Sequence, residues 1–314
     1  KPLSRLSVVL AIALLVGGLS VLVLDLGRPD RLIVAMTTYN FRSIFAWNIY
    51  LYVGFIAIAG VYLWLMMERS LNKFSKAAGM VAFIWRLALT TGTGSIFGFL
   101  VARQAYDAAV MAPLFIAMSF AFGLAIFILV IMFTSGGTGR ELGEAMVRRL
   151  KNLLGIFVGA VLYFTIVQHL TNIYAAEHHA VERFILLDGG IYTTLFWVGQ
   201  IIIGGALPLV LLFTPLFADS REAIALAALS VIAGGMAQLY VIIIGGQAFP
   251  LVLFPGKIVS SSFADGSIAS YSPSLPEIGL GIGGVALALV IVAMAVKILA
   301  LLPRTLADAE TVPT

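Results

Sequence analysis

The feature that most constrains this chain is a series of eight apolar runs, each about as long as a bilayer is thick. They lie at roughly 6–24, 43–67, 79–100, 111–134, 152–176, 191–216, 223–247 and 278–302. A helix needs about 20 apolar residues to cross the hydrocarbon core, and a barrel strand about half as many. Because lipid offers no partners to backbone N–H and C=O groups, a run of this length is stable there only as a helix. The sequence therefore predicts an all-α, polytopic membrane protein with about eight transmembrane helices.

Composition supports a membrane location. Hydrophobic residues make up 61% of the 314 positions and charged residues 11%, with a mean hydropathy of +1.07. Soluble domains are nearer half apolar and a quarter charged. A soluble core cannot enclose this much apolar surface, so lipid must solvate much of it. We expect a multi-pass protein of the cytoplasmic membrane, and no nucleic-acid partner.

The residue types missing from the chain limit its redox chemistry. There is no cysteine, and the only histidines are His169, His178 and His179. Disulfides, cysteine-ligated iron–sulfur clusters and zinc–thiolate sites are therefore excluded, and no bound metal is expected. Walker loops, dinucleotide-binding fingerprints and HExxH motifs are also missing. Any electron transfer must use a mobile carrier or centres in another subunit.

We predict a single domain, 1–314, made of two four-helix-type bundles. The first covers roughly 1–134 and the second 152–302, joined by a cytoplasmic loop at 135–151; a longer loop is expected at 248–277. The stretch 141–154 has the pattern of an amphipathic helix on the membrane surface. Lys and Arg favour cytoplasmic loops. Twelve of the 19 lie on the side of the termini and six on the other, with Arg86 inside a span, so both termini are expected in the cytoplasm.

A charged motif follows the first span, where it reaches the outer interface. Asp25 and Arg28 are three apart, so on a last helical turn they share a face and can pair. Gly27 and Pro29 are expected to end the helix. Two interpretations stay open: a capped helix end with a local ion pair, or a charged wall beside a bound headgroup.

Polar and aromatic side chains open the second span. Arg42 lies at the outer edge, and Asn48 and Tyr50 lie one to two turns deeper. A quinone needs an apolar slot for its ring and tail, with a few donors to its carbonyl oxygens, and Arg, Asn and Tyr supply such donors. The alternative is an aromatic belt at the membrane interface with a snorkelling Arg.

The fifth span ends in a polar motif. His169 and Asn172 are three apart and share a helical face. His169 could be an ordinary buried, hydrogen-bonded histidine, a quinone contact or proton relay, or, less readily, a haem ligand. A membrane haem usually takes two facing histidines, and only one lies at depth. We place Glu177, His178 and His179 on the outer surface, with Glu182 as a neighbour.

Two features inside other spans are expected to serve packing or solvation. The pair Gly234-Gly235 allows close helix packing, and Gln238 beside it is a buried amide that needs a partner. Arg86 lies in the third span, where a charge is costly unless it is paired or hydrated. Snorkelling to the cytoplasmic side and a role in a proton path both explain it.

These motifs resemble the NrfD-like family, the membrane subunits of polysulfide-reductase-type complexes. The resemblance rests on the Asp25 to Pro29 and Phe41 to Tyr50 segments, and on the blocks His169 to His179, Asp188 to Tyr192, Gly245 to Gln247 and Tyr271 to Glu277. The later blocks are similar to the DsrP branch, which comprises quinone-interacting subunits of Dsr-type complexes also described as Hdr-like menaquinol oxidoreductases.

The resemblance implies about ten spans, two of them before Lys1, and an exchangeable menaquinone, with no haem or iron–sulfur cluster bound by this chain. It implies an adjacent extracytoplasmic ferredoxin-like iron–sulfur subunit as electron partner, together with other membrane and cytochrome subunits, surrounded by lipid. The chain would not be catalytic alone. The matching quinone-site positions near the outer face of the first bundle are Asp25, Arg28, Arg42, Asn48 and Tyr50.

The resulting hypothesis is a membrane subunit that exchanges electrons between menaquinol and the iron–sulfur subunit in sulfur metabolism. Arg28, Arg42, Asn48, Tyr50 and Asn172 would contact the headgroup, and Asp25, His169 and Glu177 would accept protons. Two alternatives from other classes are a proton- or ion-translocating module and a scaffold that anchors redox subunits without quinone chemistry of its own. The direction of electron flow depends on the partners' potentials.

Overall fold

The computed structural model of the chain describes residues 3–140, 142–217, 220–251 and 266–302. Eight helices in these ranges are long and apolar enough to cross a membrane, and the described residues contain no β-strand. In chain order they are α1 (Ser4–Leu24), α2 (Ile44–Met67), α3 (Asn72–Gly98), α4 (Met111–Gly137), α5 (Glu144–Tyr174), α6 (Ile191–Phe213), α7 (Arg221–Ala248) and α8 (Leu275–Ile298). The predicted all-α fold with eight spans is confirmed.

Most helix ends lie within about one turn of the predicted spans. Two helices begin earlier: α3 begins at Asn72 rather than at 79, and α5 begins well before its predicted start at 152. The helix is continuous from Glu144 over 31 residues, so the separate surface helix predicted at 141–154 is wrong; Glu141 lies outside the described residues. At 1.5 Å per residue such a helix is about 46 Å long, more than the hydrocarbon core requires. Arg148 and Arg149 lie in the first two turns of this helix. The loop predicted at 135–151 shortens to the connection 138–143.

Local sequence explains where several spans begin and end. Ser43 and Ser220 cap α2 and α7, each accepting a hydrogen bond from a backbone N–H of the first turn. Ser274 and Glu277 form a capping box at the start of α8, which satisfies two backbone donors that the helix leaves unpaired. After α1, Gly27 adopts a φ of 60°, a conformation that favours glycine and turns the chain out of the helix. Much of the loop predicted at 248–277 lies outside the described residues.

The described helices form two compact units. The first unit runs to Thr93 and includes α8 from Ser272 onward; the second runs from Gly94 to Tyr271. This grouping differs from the predicted bundles at 1–134 and 152–302, because α8 packs along α1, whereas α4 packs on α5 and α7. In the first unit the backbones approach closely: a Cβ on Gly17 would lie 2.5 Å from the carbonyl oxygen of Gly284.

The second unit contains wide helical turns. Residues Leu195–Ala206 of α6 and Val241–Gly245 of α7 are π-helical, and a further π-helical segment, Phe184–Asp188, precedes α6. Such turns are rare and redirect the side chains that follow them. The π-helical part of α6 carries Gln200, whose amide joins a cluster of buried polar groups around His169.

Candidate functional site

The charged motif after α1 does not form the predicted ion pair. Asp25 is the C-terminal cap of α1, but Arg28 has φ −134° and ψ 72°, outside the helical range. The helix has therefore ended before the three-residue spacing can bring the two side chains onto one face. Both are exposed, and neither forms an ion pair with any described residue. The chain leaves the helix in this segment as predicted, but the last helical residue is Leu24, before Gly27 and Pro29.

Asn48 and Tyr50 lie on different sides of α2. Asn48 is 4% exposed. Its amide nitrogen donates to the carbonyl oxygen of Ile44 at 3.0 Å, and its amide oxygen accepts from the Thr93 hydroxyl at 3.2 Å. Tyr50 is 44% exposed and stacks on Tyr39, with ring centroids 4.2 Å apart. Two residues along a helix are about 200° apart around its axis, so these two predicted site residues do not converge on one pocket.

Four rings form a continuous aromatic surface at this end of the first unit. The aromatic rim, as we name it, consists of Tyr39, Phe41, Trp47 and Tyr50. The indole N–H of Trp47 donates to the carbonyl oxygen of Phe41 at 2.9 Å, which fixes the loop against α2. Arg42 lies within this segment, and its exposed guanidinium forms no hydrogen bond or ion pair with the described residues. The aromatic rim thus lies next to the Arg42 guanidinium, whose N–H groups have no acceptor among the described residues.

A buried carboxylate organises the polar end of α5 in the second unit. Glu182 is 3% exposed. One of its oxygens lies 2.7 Å from Nδ1 of His169, and the other accepts from the amide nitrogen of Asn172 at 2.8 Å. The prediction that His169 and Asn172 share a face is confirmed. The expectation that Glu182 lies on the surface is wrong, because the short helix His179–Arg183 turns the carboxylate inward against α5.

This arrangement lets one proton be held between His169 and Glu182. Burying a carboxylate costs several kcal/mol unless it is paired and hydrogen-bonded. The adjacent Arg183 does not neutralise Glu182, because its guanidinium pairs with Asp188 at 2.7 Å. Within the part of the chain that the structure describes, His169 is therefore the basic group available to Glu182. The ring of Phe196 packs edge-on against the imidazole, with centroids 4.7 Å apart.

Two small cavities continue from His169 into the unit. The first, about 20 Å³, is lined by His169, Gln168, Gln200 and Gln238; the second, about 10 Å³, again reaches Gln200 and Gln238. Both glutamine amides donate to the hydroxyl of Thr165 at 3.3 Å, which gives Gln238 its expected partner. A water molecule needs about 10–15 Å³, so the first cavity accommodates one water but not a quinone ring. The cluster suits proton transfer rather than headgroup binding.

The three polar residues after α5 have different environments. Glu177 is exposed, and its carboxylate lies 3.6 Å from Nε2 of His178. His178 is 6% exposed, so the prediction that it lies on the surface is wrong. Its Nδ1 must carry the hydrogen, because its partner at 2.6 Å is the carbonyl oxygen of Gln104, which can only accept. His179 donates through its other ring nitrogen, Nε2, to the carbonyl oxygen of Ile173 at 2.7 Å.

The connection before α4 is fixed to the end of α7 by side chains that lie outside the predicted motifs. Arg103 donates to the carbonyl oxygens of Gln247 and Phe249 at 2.8 and 3.2 Å. The hydroxyl of Tyr106 donates to the carbonyl oxygen of Ile243 at 2.9 Å. Burial raises the pKa of Tyr106 above its ordinary value, because the phenolate would lose solvation there. Arg103 and Tyr106 flank Gln104, so these contacts fix the backbone carbonyl that accepts the hydrogen bond from His178.

Comparison with known proteins places the chain in a family. The family model described as "Polysulphide reductase, NrfD" matches residues 1–251. The chain is 29% identical, over 97% of its own length and 77% of the relative, to an Hdr-like menaquinol oxidoreductase integral membrane subunit of Archaeoglobus fulgidus. It is 27% identical to a putative dimethyl sulfoxide reductase membrane subunit of Halobacterium salinarum, over 95% of this chain and 75% of that one. It is 22% identical to a selenate reductase subunit of Mesobacillus selenatarsenatis, over 94% and 77%. Because the family model covers most of the sequence, the chain belongs to the NrfD family.

Proposed function

We propose that the chain is the quinone-interacting membrane subunit of a respiratory complex. It would exchange electrons between menaquinol and an adjacent extracytoplasmic iron–sulfur subunit, in a complex of the Dsr type that serves sulfur metabolism. The observation that carries the proposal is the exposed Arg42 guanidinium on the aromatic rim of the first unit. The relative named as a menaquinol oxidoreductase subunit supports the quinone type.

The rim has the chemistry that a quinone headgroup requires. Arg42 offers several N–H donors and Tyr50 a hydroxyl, and the rim rings provide apolar faces for stacking. Asn48 would act as a positioning residue, because both ends of its amide are committed to Ile44 and Thr93. Asp25 and Arg28, exposed after α1, would be charged groups beside the headgroup rather than a fixed pair.

A bound quinol would supply two electrons and two protons, and the chain's own residues would hold the headgroup and handle the protons. In the second unit the 2.7 Å contact between His169 and Glu182 can store a proton inside the protein. Asn172 would hold Glu182 in place through its 2.8 Å hydrogen bond. Glu177 is exposed, with a carboxylate that can release a proton to water.

One observation favours a second candidate function, a proton-translocating module. The buried His169–Glu182 pair continues through a water-sized cavity to Gln200, Gln238 and Thr165. A row of buried polar groups is what a proton relay needs. The scaffold alternative has no comparable observation in its favour, since a scaffold gains nothing from a buried carboxylate.

The proposal is tested by menaquinol oxidation in the purified complex carrying Arg42→Gln. Loss of a charged donor to a bound headgroup costs about 1.5–3 kcal/mol, so we expect kcat/KM to fall roughly ten- to hundredfold. Arg31→Gln is the matched control, because Arg31 is exposed in the same loop but lies off the aromatic rim. Equal activity of the wild type and both variants, with intact assembly, would contradict a headgroup site at Arg42.

A further inference from the structure

One cavity in the first unit lies at the end opposite the aromatic rim. It measures about 620 Å³ and opens beside the first turn of α1, the last turn of α2, the start of α3 and the residues after α8. This volume lies within the usual range for small-molecule sites. Neither quinone binding at the rim nor proton transfer at His169 involves it.

Two cations line this cavity, and neither has a carboxylate partner among the residues that the structure describes. The guanidinium of Arg5 donates to the carbonyl oxygens of Met66 and Ala300, at 2.5 and 3.1 Å. These bonds hold Arg5 in place, and no described carboxylate neutralises its charge. Lys76 is exposed at the cavity wall and forms no hydrogen bond or ion pair with the described residues. The exposed Arg69 lies in the same connection, and the α-helical part of α3, which begins at Ser75, adds the dipole of its first turn.

The rest of the lining is divided between polar and apolar groups. Asn72 and Ser75 are joined by a 3.0 Å hydrogen bond next to Lys76. Met66 and Met80 form part of the apolar wall. The cavity therefore combines a cationic, hydrogen-bonding part with an apolar part, at a level where membrane spans end. A soluble anion would use only the first part, whereas an amphiphile would use both.

We propose that this cavity binds an anionic phospholipid, with the phosphate at Arg5 and Lys76 and the adjoining chain carbons along Met66 and Met80. Basic pockets between transmembrane helices are known to recognise lipid headgroups in this way. The occupant is a lipid rather than a free phosphate, because the apolar wall would otherwise face water. Such a lipid would bridge α1, α2 and α3 within the first unit.

The test is native mass spectrometry of the intact complex released from nanodiscs. Phosphatidylglycerol nanodiscs are compared with phosphatidylcholine nanodiscs, and millimolar inorganic phosphate is added in a third arm. Wild-type protein should retain phosphatidylglycerol in preference to phosphatidylcholine, and inorganic phosphate should not displace it. Because each basic residue near a headgroup contributes about 1 kcal/mol, Lys76→Gln should reduce retention roughly fivefold.

Lys73→Gln is the matched control. It removes the same charge from the same segment, but the Lys73 ammonium lies 5.0 Å from the centroid of the Phe74 ring and does not line the cavity. Its lipid retention should remain close to that of the wild type. Equal losses in the two variants, no preference for phosphatidylglycerol, or displacement by inorganic phosphate would each overturn the proposal. The measurement does not depend on quinol oxidation.

Discussion

At the scale of single residues, His169 and Glu182 form a pair of ionisable side chains that is largely buried from water. The imidazole and the carboxylate lie 2.7 Å apart, and the carboxylate is 3% exposed. Removing one partner from such a pair leaves an uncompensated buried charge, which costs about 3–5 kcal/mol. The free energy lost when His169 is replaced should therefore depend on whether residue 182 can carry a negative charge.

We expect His169→Ala to be strongly destabilising in the wild-type background and much less so in Glu182→Gln. The coupling free energy between the two sites should be about 1–3 kcal/mol, measured by unfolding of the purified protein in a double-mutant cycle. Arg183 and Asp188 form the control pair: they have the same 2.7 Å distance, but their side chains are 74% and 58% exposed. Their coupling should be under about 1 kcal/mol. Additive effects at His169 and Glu182 would contradict a direct interaction between the two side chains.

The sequence could predict only part of this cluster. The three-residue spacing of His169 and Asn172 on a helix determines that they share a face, and an amide such as Gln238 inside an apolar run must find a partner. Nothing in the local pattern indicates that Glu182 is buried, because its burial depends on how a short helix folds back on α5. Asn48 and Tyr50 show the converse: both belong to the predicted site, yet their positions around α2 separate them.

At the scale of elements, hydropathy predicts the spans and small residues determine how closely they pack. In the second unit the backbones of α6 and α7 meet at Gly204 and Gly234, where a Cβ on Gly234 would overlap the backbone of Gly204. Close approach of this kind brings backbones within van der Waals range, which is a main source of helix association in lipid. The prediction that the Gly234-Gly235 pair serves packing agrees with this contact.

Gly234→Ala should therefore lower the thermal unfolding temperature of the detergent-solubilised protein. Overpacking costs about 1–3 kcal/mol, and backbone atoms cannot move aside as a flexible side chain can. Gly123→Ala on α4 is the control, because a Cβ there meets nothing within 4 Å. The control should be neutral or slightly stabilising, since alanine favours the helix. Equal effects of the two substitutions would show that the helices do not meet at Gly234.

At the scale of the whole molecule, the number of spans was predictable and their grouping was not. The pattern of about 20 apolar residues per span determines the eight helices, but the pairing of α8 with α1 depends on contacts such as Gly17 with Gly284, which are far apart in sequence. Hydropathy does not predict which helices pair, because lipid and protein are equally apolar surroundings for a helix. The orientation across the membrane follows from the Lys and Arg bias and stays a prediction.

The absence of cysteine makes orientation directly measurable, since any introduced cysteine is a unique label. Asp30→Cys in the connection after α1 should react with a membrane-impermeant maleimide on intact cells. Ser70→Cys between α2 and α3 should react only after the membrane is opened. Both positions are exposed in the structure, so access to solvent is matched. The reverse pattern would contradict cytoplasmic termini.

The most direct measurement is photolabelling of the complex with an azido-menaquinone, followed by identification of the modified peptide. We expect the label within residues 39–50, which contain Arg42 and the aromatic rim, and we expect excess menaquinol to prevent it. Arg42→Gln should weaken labelling, and Arg31→Gln should leave it unchanged. Labelling confined to other segments or other subunits, or labelling that excess menaquinol does not reduce, would show that this chain does not hold the quinone at the rim.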